Sequence, residues 1–419
     1  MSTPHVPSRL PQVGTTIFSV MSQLAQTHGA INLSQGFPDF APPPLLLSRV
    51  AHHMATGSNQ YAMMHGAPSL RVAIAEKVAR LYDANYDVER EITVTAGATE
   101  AIFCAIAACV RPGDEVIVFA PVYDAYIPAI LLNGGTPILA KLAAPDYRPN
   151  FAELRQLLTP RTRMMIINSP HNPTGSVWSA GDMAQLAVLL EDTNAVVVSD
   201  EVYEHVVFDG AAHVSVMHFP ALRERSFVVS SFGKTYHITG WKIAYCLAPE
   251  SLTAELRKTH QFVVFSVSHP MQLAIADFMR DAPKFADDLA SFYQQKRDHL
   301  RAELADSRFR LLSCAGTYFQ LVDYSAISEM TDLEFAHWLT KEHGVASIPI
   351  SVFSPQGSDL RLVRLCFAKD SETLANAGAR LRKIGDVEDL AAARRGTLPG
   401  VRGGYNPDCA PAPTGEAST

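Results

Sequence analysis

The sequence predicts an α/β fold, in which an open and mostly parallel sheet is flanked by helices and is followed by a smaller α+β region. From residue 92 onwards, short apolar strands alternate regularly with helices, which is typical of a parallel sheet. The predicted strand 195–199 begins with the continuous apolar run 195–198, as in a central strand that is buried on both faces. Small and polar residues follow strand after strand. Because ligands of such sheets bind at the carboxyl ends of the strands, a pocket is predicted there.

The individual elements follow from hydrophobic periodicity. The predicted strands are 31–33, 92–95, 115–119, 136–140, 162–168, 195–199, 227–229, 318–324, 346–352 and 360–368. The predicted helices are 17–27, 45–55, 69–82, 100–109, 124–132, 183–190, 271–279, 285–304, 331–342 and 371–383.

The order of these elements suggests a division into domains. An N-terminal arm that joins the small domain is predicted at 1–40, a large domain at 41–290, and the small C-terminal domain at 291–384. Residues 385–419 are rich in Gly, Pro, Ala and Thr, and we expect them to form a disordered tail.

Composition excludes several classes of protein. The chain has 419 residues, of which 47% are hydrophobic and 18% charged, and its net charge is −7 without a basic block. Nucleic acid is therefore not an expected partner. No apolar run is long enough for a membrane span, and the polar N-terminus does not resemble a signal peptide. The six cysteines lack C-x-x-C pairing, which favours free thiols and a cytoplasmic location.

The segment 230–242 carries the most informative residue, Lys234. It follows an apolar strand and contains hydroxyls, two glycines and a second cation, Lys242. Such a lysine can bind phosphate, form a Schiff base, or lie on the surface without a function. A phosphate-binding loop of the G-x-x-x-x-G-K-[ST] type is excluded, because Val228 stands where its first glycine belongs.

Other candidate residues lie at neighbouring strand ends. The turn 96–99 precedes a helix, where free N–H groups and the helix dipole favour a phosphate, although plain small-residue packing explains it equally well. Asp200 alone could be a helix cap, and a single tyrosine usually packs in a core. We expect these side chains to converge on one pocket, formed by Ala98, Thr99, Tyr123, Asn172, Asp200, Tyr203 and Lys234.

Pyridoxal phosphate is a cofactor that needs these groups together. It requires a lysine for its imine, a cradle for its phosphate, and a carboxylate that keeps its ring nitrogen protonated. It also benefits from donors to its phenolate oxygen and from a stacked aromatic ring. The candidate for the imine is Lys234, and the candidate for the ring nitrogen is Asp200. The candidate donors to the phenolate oxygen are Asn172 and Tyr203, and the candidate stacking ring is Tyr123. The candidates for the phosphate cradle are Gly97, Ala98, Thr99, Ser231 and Lys242.

Six motifs carry a resemblance to a known family. They are NLSQGFPDF (32–40), TAGATE (95–100), HNPTG (171–175), SDEVY (199–203), SFGKT (231–235) and VRLCFA (363–368). With them, residues 10–384 resemble the fold-type I, class I/II aminotransferases that depend on pyridoxal 5′-phosphate, and particularly the methionine and kynurenine aminotransferase group. The resemblance implies a mostly parallel seven-stranded sheet, a homodimer, and transfer of an amino group between an amino acid and a 2-oxo acid by a ping-pong mechanism.

The resemblance also implies roles for further residues. Lys234 would form the Schiff base and move the substrate proton. Arg364 would bind the substrate α-carboxylate with the help of the Gly36 N–H, and Tyr61 would reach the phosphate of a neighbouring subunit. It further implies cis peptide bonds before Pro121 and Pro173. Many aminotransferases have an arginine at the position of Lys242. An arginine offers a planar fork of donors, whereas this lysine offers a single point charge.

Substrate specificity is predicted from three aromatic residues. Phe18, Phe37 and Phe265 lie where the methionine and kynurenine group lines its side-chain pocket, and such a pocket favours sulfur-bearing or aromatic substrates. Methionine is the expected donor, with phenylalanine, tyrosine, histidine and kynurenine as further donors. Two alternatives stay open: a β-lyase that cleaves cysteine conjugates with the same cofactor, and a non-catalytic protein that binds a phosphate or nucleotide.

Overall fold

The computed structural model describes residues 6–354 and 360–385. The strands are β1 Ile31–Asn32, β2 Ile92–Thr95, β3 Glu115–Ala120, β4 Thr136–Lys141, β5 Thr162–Asn168, β6 Val196–Asp200, β7 Ser226–Ser231, β8 Ala244–Leu247, β9 Arg310–Leu311, β10 Phe319–Asp323, β11 Val345–Ala346, β12 Ile348–Pro349 and β13 Leu362–Cys366.

Helices surround these strands. They are α1 Ile17–His28, α2 Pro44–Ala55, α3 Pro68–Tyr82, α4 Ala98–Cys109, α5 Tyr126–Leu132, α6 Phe151–Leu157, α7 Ala180–Leu190, α8 Pro220–Arg223, α9 Phe232–Thr235, α10 Glu250–Val263, α11 His269–Asp281, α12 Lys284–Asp287, α13 Leu289–Glu303, α14 Asp332–Glu342 and α15 Ser371–Arg382. None of these helices combines the length and the apolar composition that crossing a membrane requires.

A seven-stranded sheet forms the centre of the molecule, in the order β2-β8-β7-β6-β5-β3-β4. Five consecutive strands, β7-β6-β5-β3-β4, are parallel to one another, and β8 is antiparallel to both β2 and β7. The predicted mostly parallel sheet is therefore confirmed. The carboxyl ends of β3, β5, β6 and β7 consequently lie at one edge, as the position of a ligand site requires.

Alternate residues of the central strands enter two apolar cores, one on each face of the sheet. In β5, Met165 and Ile167 belong to one core, whereas Met164 and Ile166 belong to the other. All four side chains are buried, because successive side chains of a strand point to opposite faces and both faces are covered by helices. Continuous apolar sequence is thus explained by burial on both sides.

A smaller sheet has the order β12-β13-β10-β9 and is antiparallel. The N-terminal segment joins this part of the molecule, because β1 pairs in parallel with β11 and α1 packs against α14. The smaller α+β region is therefore present. The domain boundaries at residues 40, 290 and 384 stay predictions, and the tail predicted at 385–419 lies, from residue 386, outside the described residues.

Several local predictions differ from the structure. The strand predicted at 346–352 is divided into the short β11 and β12 and ends in a 3-10 turn at Ser351–Phe353. The helix predicted at 285–304 is divided into α12 and α13 at Asp288. The strand β8 and the helix α6 were not predicted, because four and seven residues are too short for a clear period. The two predicted cis bonds, before Pro121 and Pro173, are confirmed.

Candidate active site

One cavity at the carboxyl edge of the large sheet collects most of the predicted site residues. The turn before α4, the segment after β3 and the segments after β5, β6 and β7 all contribute to it. Ten predicted residues line this cavity: Gly97, Ala98, Thr99, Tyr123, Asn172, Asp200, Tyr203, Ser231, Lys234 and Lys242. The convergence expected from the strand order is thus seen in the structure.

Lys234 lies on the short helix α9, immediately after β7. Its Nζ donates hydrogen bonds to the carbonyl oxygen of Gly36 at 3.1 Å and to the hydroxyl of Tyr318 at 2.7 Å. Burial lowers the pKa of this amine to about 8. About a tenth of Lys234 is therefore uncharged at pH 7, and the uncharged amine is the form that can attack a carbonyl.

Asp200 ends β6 and is buried beneath the same cavity. Its Oδ2 accepts a hydrogen bond from the Tyr126 hydroxyl at 2.5 Å, and its Oδ1 accepts one from the N–H of Val202 at 3.3 Å. Burial raises the pKa of this carboxyl to about 6, although the hydrogen bond from Tyr126 opposes the rise. A buried carboxylate with this environment is suited to a cationic N–H group of a ligand.

The turn that precedes α4 and Lys242 face each other closely. Gly97 is the N-cap of α4, with φ 83° and ψ 163°, a conformation that essentially only glycine adopts. A Cβ at this position would lie 2.9 Å from Cε and 3.1 Å from Nζ of Lys242. The ammonium group and the helix N-terminus therefore converge on one point, which is a favourable arrangement for an anion.

The same turn is supported from behind by Glu100, whose side chain is 9% exposed. Oε2 of Glu100 accepts a hydrogen bond from the N–H of Ala96 at 3.1 Å, and its Oε1 lies 2.8 Å from Nδ1 of His260. The thiol of Cys104 donates to the same Oε1 at 2.9 Å. These contacts fix the backbone of the turn independently of any ligand.

Arg364 is buried beside Asn172. Its Nη1 donates to Oδ1 of Asn172 at 2.8 Å, and its Nη2 donates to the carbonyl oxygen of Ser34 at 3.0 Å. Its Nε is buried without a hydrogen-bond partner, and its guanidinium carbon lies 3.8 Å from the centre of the Phe319 ring. Because a buried guanidinium with neutral partners retains its full positive charge, it is prepared for an anionic ligand.

Two tyrosines complete the walls of the cavity. Burial raises the pKa of Tyr123 to about 12 and that of Tyr203 further, so both hydroxyls are protonated donors at neutral pH. The ring of Tyr203 packs edge-on against Tyr318 with centroids 5.0 Å apart. That contact restricts the orientation of the Tyr203 ring at the site.

The remaining predicted residues are distributed differently. Gly36 contacts Lys234 through its carbonyl oxygen, and the ring of Phe18 lies 5.3 Å from the guanidinium carbon of Arg364. Phe37 is 44% exposed. Tyr61 and Phe265 pack edge-on against each other at 5.4 Å, and Tyr61 is 82% exposed. Phe37, Tyr61 and Phe265 are not among the residues that line this cavity.

Sequence reasoning missed three residues that organise the site. Tyr126 contacts Asp200, and Tyr318 contacts both Lys234 and the Gly36 carbonyl oxygen, at 2.6 Å from the latter. Oδ1 of Asn168 accepts from the N–H of Asn172 at 2.8 Å. Asn168 ends β5 and could have been found as a polar residue at a strand end, whereas no local signal marks Tyr318.

Comparison with known proteins explains this arrangement. A family model described as aminotransferase class I and II matches residues 28–381. The chain belongs to the class I and II aminotransferases. It is 54% identical over 384 residues to methionine aminotransferase of Escherichia coli K12, across 91% of the chain and 100% of that relative.

Two further similarities support the assignment. The aminotransferase is 33% identical over 416 residues to kynurenine–oxoglutarate transaminase 1 of Rattus norvegicus, across 91% of the chain and 98% of that relative. The solved structure of N-succinyldiaminopimelate aminotransferase from Mycobacterium tuberculosis matches with a TM-score of 0.88 at 39% identity, across 91% of the chain and 100% of that structure.

The family and its activity are therefore confirmed. The protein is an enzyme of the transaminase class, and its substrates are amino acids and 2-oxo acids. The fold-type I architecture expected from the resemblance is also confirmed. A non-catalytic protein that binds a phosphate or nucleotide is not consistent with this assignment.

Proposed function

We propose that the cavity binds pyridoxal 5′-phosphate and that the enzyme transaminates L-methionine, with aromatic amino acids and kynurenine as further donors. The observation that carries this proposal is the arrangement of three groups around one cavity. The first group is the amine of Lys234, and the second is the buried carboxylate of Asp200. The third is the N-terminus of α4 at Gly97, which the ammonium group of Lys242 faces.

The phosphate end of the cofactor fits the cradle at α4. The space that a Cβ of Gly97 would fill is bounded by the Lys242 side chain, and the N–H groups of Ala98 and Thr99 belong to the first turn of the helix. Ser231 lines the same cavity. Backbone N–H groups, a hydroxyl and a point charge together form an anion site.

Tyr123 and Asp200 line the part of the cavity that would hold the ring of the cofactor. When bound, pyridoxal phosphate supplies a carbonyl that condenses with amino groups and a ring that withdraws electrons from the substrate α-carbon. Asp200 would hold the ring N–H, and Tyr123 would stack on the ring. Asn172 and Tyr203 would donate to the phenolate oxygen, because Arg364 occupies Oδ1 of Asn172 and leaves its Nδ2 as the donor.

Lys234 would serve both as the covalent attachment point and as the group that moves the substrate α-proton. Its lowered pKa, about 8, makes the free amine available at neutral pH. Its hydrogen bonds to Gly36 and Tyr318 hold Nζ at the cavity wall when it is not attached. Nζ can thus accept a proton at one step and return it at another without a large movement.

Arg364 would bind the α-carboxylate of the substrate. Its two Nη atoms are already held by Asn172 and Ser34, so the guanidinium plane is fixed before the substrate arrives. Its unpartnered Nε is a free buried donor. The Gly36 N–H remains a proposed second donor, and the structure adds that the Gly36 carbonyl oxygen contacts Lys234.

The preference for methionine is supported by two observations. The ring of Phe18 borders Arg364 at 5.3 Å, which places an apolar surface beside the carboxylate site. The relative from E. coli, at 54% identity, is a methionine aminotransferase, and the relative from R. norvegicus acts on kynurenine. Thioether and aromatic side chains both gain from contact with such a ring.

A homodimer would complete the site. Three aromatic side chains in one region are exposed: Tyr61 by 82%, Phe262 by 85% and Phe265 by 46%. The rings of Tyr61 and Phe265 are in contact, and Phe262 lies three positions before Phe265 in the sequence. Such a surface is typical of a protein interface. We propose that the partner subunit covers it, and that Tyr61 and Phe265 then reach the partner's cavity; Phe37 would line the entrance. Light scattering of the purified enzyme tests the dimer.

A cytoplasmic location is the expected setting. All five cysteines within the described residues are free, as in a reducing compartment. We likewise propose that residues 41–290 form the large domain and residues 291–384, together with the arm 1–40, the small one.

The first experiment is an absorption spectrum of the purified enzyme before and after methionine is added without any 2-oxo acid. A visible band that bleaches on addition of methionine is expected. Lys234→Ala should lose the band, whereas Lys258→Ala, at a 70% exposed side chain, should keep it. A band that bleaches only with another amino acid would replace methionine as the donor, and no band in the presence of added cofactor would refute the assignment of Lys234.

The β-lyase alternative is tested with a cysteine conjugate as the substrate. Release of pyruvate and a thiol without a 2-oxo acid would favour the lyase. Accumulation of the corresponding 2-oxo acid, with the amino group retained by the enzyme, would favour transamination.

A further inference from the structure

A second cavity adjoins the first along Thr99 and Tyr123, which line both. Its volume is about 410 Å³. One wall comes from the arm segment 12–18, another from α5, and a third from Val352 and Phe353. Most of the lining side chains are apolar, so the cavity is suited to an apolar part of a ligand.

This cavity begins next to the group that binds the substrate carboxylate. The guanidinium carbon of Arg364 lies 5.3 Å from the ring of Phe18 and 5.5 Å from the ring of Phe353, and both rings line the second cavity. An amino acid held by its carboxylate at Arg364 and by its amine near Lys234 therefore has this space beside it for its side chain.

Asp124 is the one charged side chain among the described residues that line the second cavity. It is partly buried, and the N–H groups of Asp124 and Ala125 lie close to its carboxyl. Burial raises the pKa of this carboxyl, while the positive charge of Arg364 opposes the rise. A partly buried carboxylate in a mostly apolar wall interacts more strongly with a charge that enters than an exposed carboxylate does, because water screens it less.

We propose that Asp124 determines substrate specificity by excluding amino acids and 2-oxo acids that carry a second carboxylate in the side chain. This proposal rests on the proposed function, because it assigns a preference to the same site. A glutamate side chain would bring a like charge against Asp124. A neutral side chain of the same shape avoids the repulsion, and one with an N–H group gains a hydrogen bond to the carboxylate.

Glutamine and glutamate form the decisive substrate pair, because they differ in charge and hardly in shape. The assay is kcat/KM for each as the amino donor, with methionine as the reference. For the wild-type enzyme, glutamine should be the better donor. In Asp124→Asn, the glutamate-to-glutamine ratio should rise by about tenfold or more. Asp146→Asn, at an exposed position, removes the same charge and should leave the ratio unchanged.

A purely structural role for Asp124 predicts a different result. If its carboxyl serves only to accept the N–H groups of Asp124 and Ala125, Asp124→Asn will move the ratio by less than about twofold, because the amide oxygen can accept the same hydrogen bonds. That result, or equal use of glutamate and glutamine by the wild-type enzyme, overturns the proposal. Asp124→Ser provides a second test if Asp124→Asn does not fold. A wild-type enzyme that transaminates none of the three amino acids instead refutes the proposed function.

Discussion

Substitution of Gly97 by alanine tests the phosphate cradle most directly. The new Cβ would lie 2.9 Å from Cε and 3.1 Å from Nζ of Lys242, so the lysine side chain has to move. If the displaced ammonium loses its charge-assisted contact with the phosphate, about 1.5–3 kcal/mol of binding free energy is lost. We therefore expect the dissociation constant for pyridoxal phosphate to rise by about tenfold to a hundredfold.

The same substitution also strains the backbone. Gly97 has φ 83° and ψ 163°, a region that costs an alanine about 1–3 kcal/mol. Gly113→Ala is a matched control, because Gly113 also has a positive φ, 94°, but no atom lies within 4 Å of its added Cβ. The control should lose stability and keep its affinity for the cofactor.

The assay is titration of the apoenzyme with pyridoxal phosphate, followed by absorbance, together with thermal unfolding of the apoenzyme. The two readouts separate the strain from the displaced lysine. A Gly97→Ala enzyme that binds the cofactor within about twofold of the wild-type affinity would refute the reasoning, because Lys242 would then not contribute to the phosphate site.

Three further predictions concern buried polar groups. Tyr126→Phe removes the 2.5 Å hydrogen bond that lowers the pKa of Asp200, so this pKa should rise above about 6. The acid limb of the profile of kcat/KM against pH should then move to higher pH. An unchanged acid limb would contradict this role of Tyr126. Lys77→Met leaves the buried carboxylate of Glu204 without its 2.6 Å ion pair. The free energy of unfolding, measured by urea denaturation, should fall by about 3–5 kcal/mol. A loss below about 1 kcal/mol would show that water replaces the lysine. Burial lowers the pKa of Lys234 to about 8, and only its neutral amine reacts with the cofactor. The rate of cofactor capture by the apoenzyme should therefore rise by about tenfold per pH unit below pH 8 and level off above it. A rate that does not depend on pH would exclude this amine as the titrating group.

The central fold was predictable because its strands are buried on both faces. Continuous apolar sequence in β5 and β6 is a direct consequence of that burial. In contrast, β8 was missed because its four residues carry no distinctive period, although it pairs with β2 and β7. The prediction was thus most successful where burial acts on many consecutive residues.

The candidate site was predictable to the extent that it depends on strand ends. Asp200 and Lys234 each follow a recognisable strand, so their convergence followed from the order of elements. Tyr318 could not be found in this way, because it reaches Lys234 from a part of the chain that is 84 positions distant. Likewise, only the folded structure shows that Asp124 is the charged residue among those that line a mostly apolar cavity.

The pairing of β7 with β8 has a consequence for engineering the enzyme. Ser231 and Ala244 are opposite each other in the sheet, so the segment that carries Lys234 and Lys242 is a closed connection with both ends fixed. Backbone hydrogen bonds such as Ile238 N–H to the Gly233 carbonyl oxygen, at 3.1 Å, tighten it further. Insertions or new chain termini within this connection would displace both cations at once. Circular permutation and loop grafting should therefore be directed to the opposite edge of the sheet.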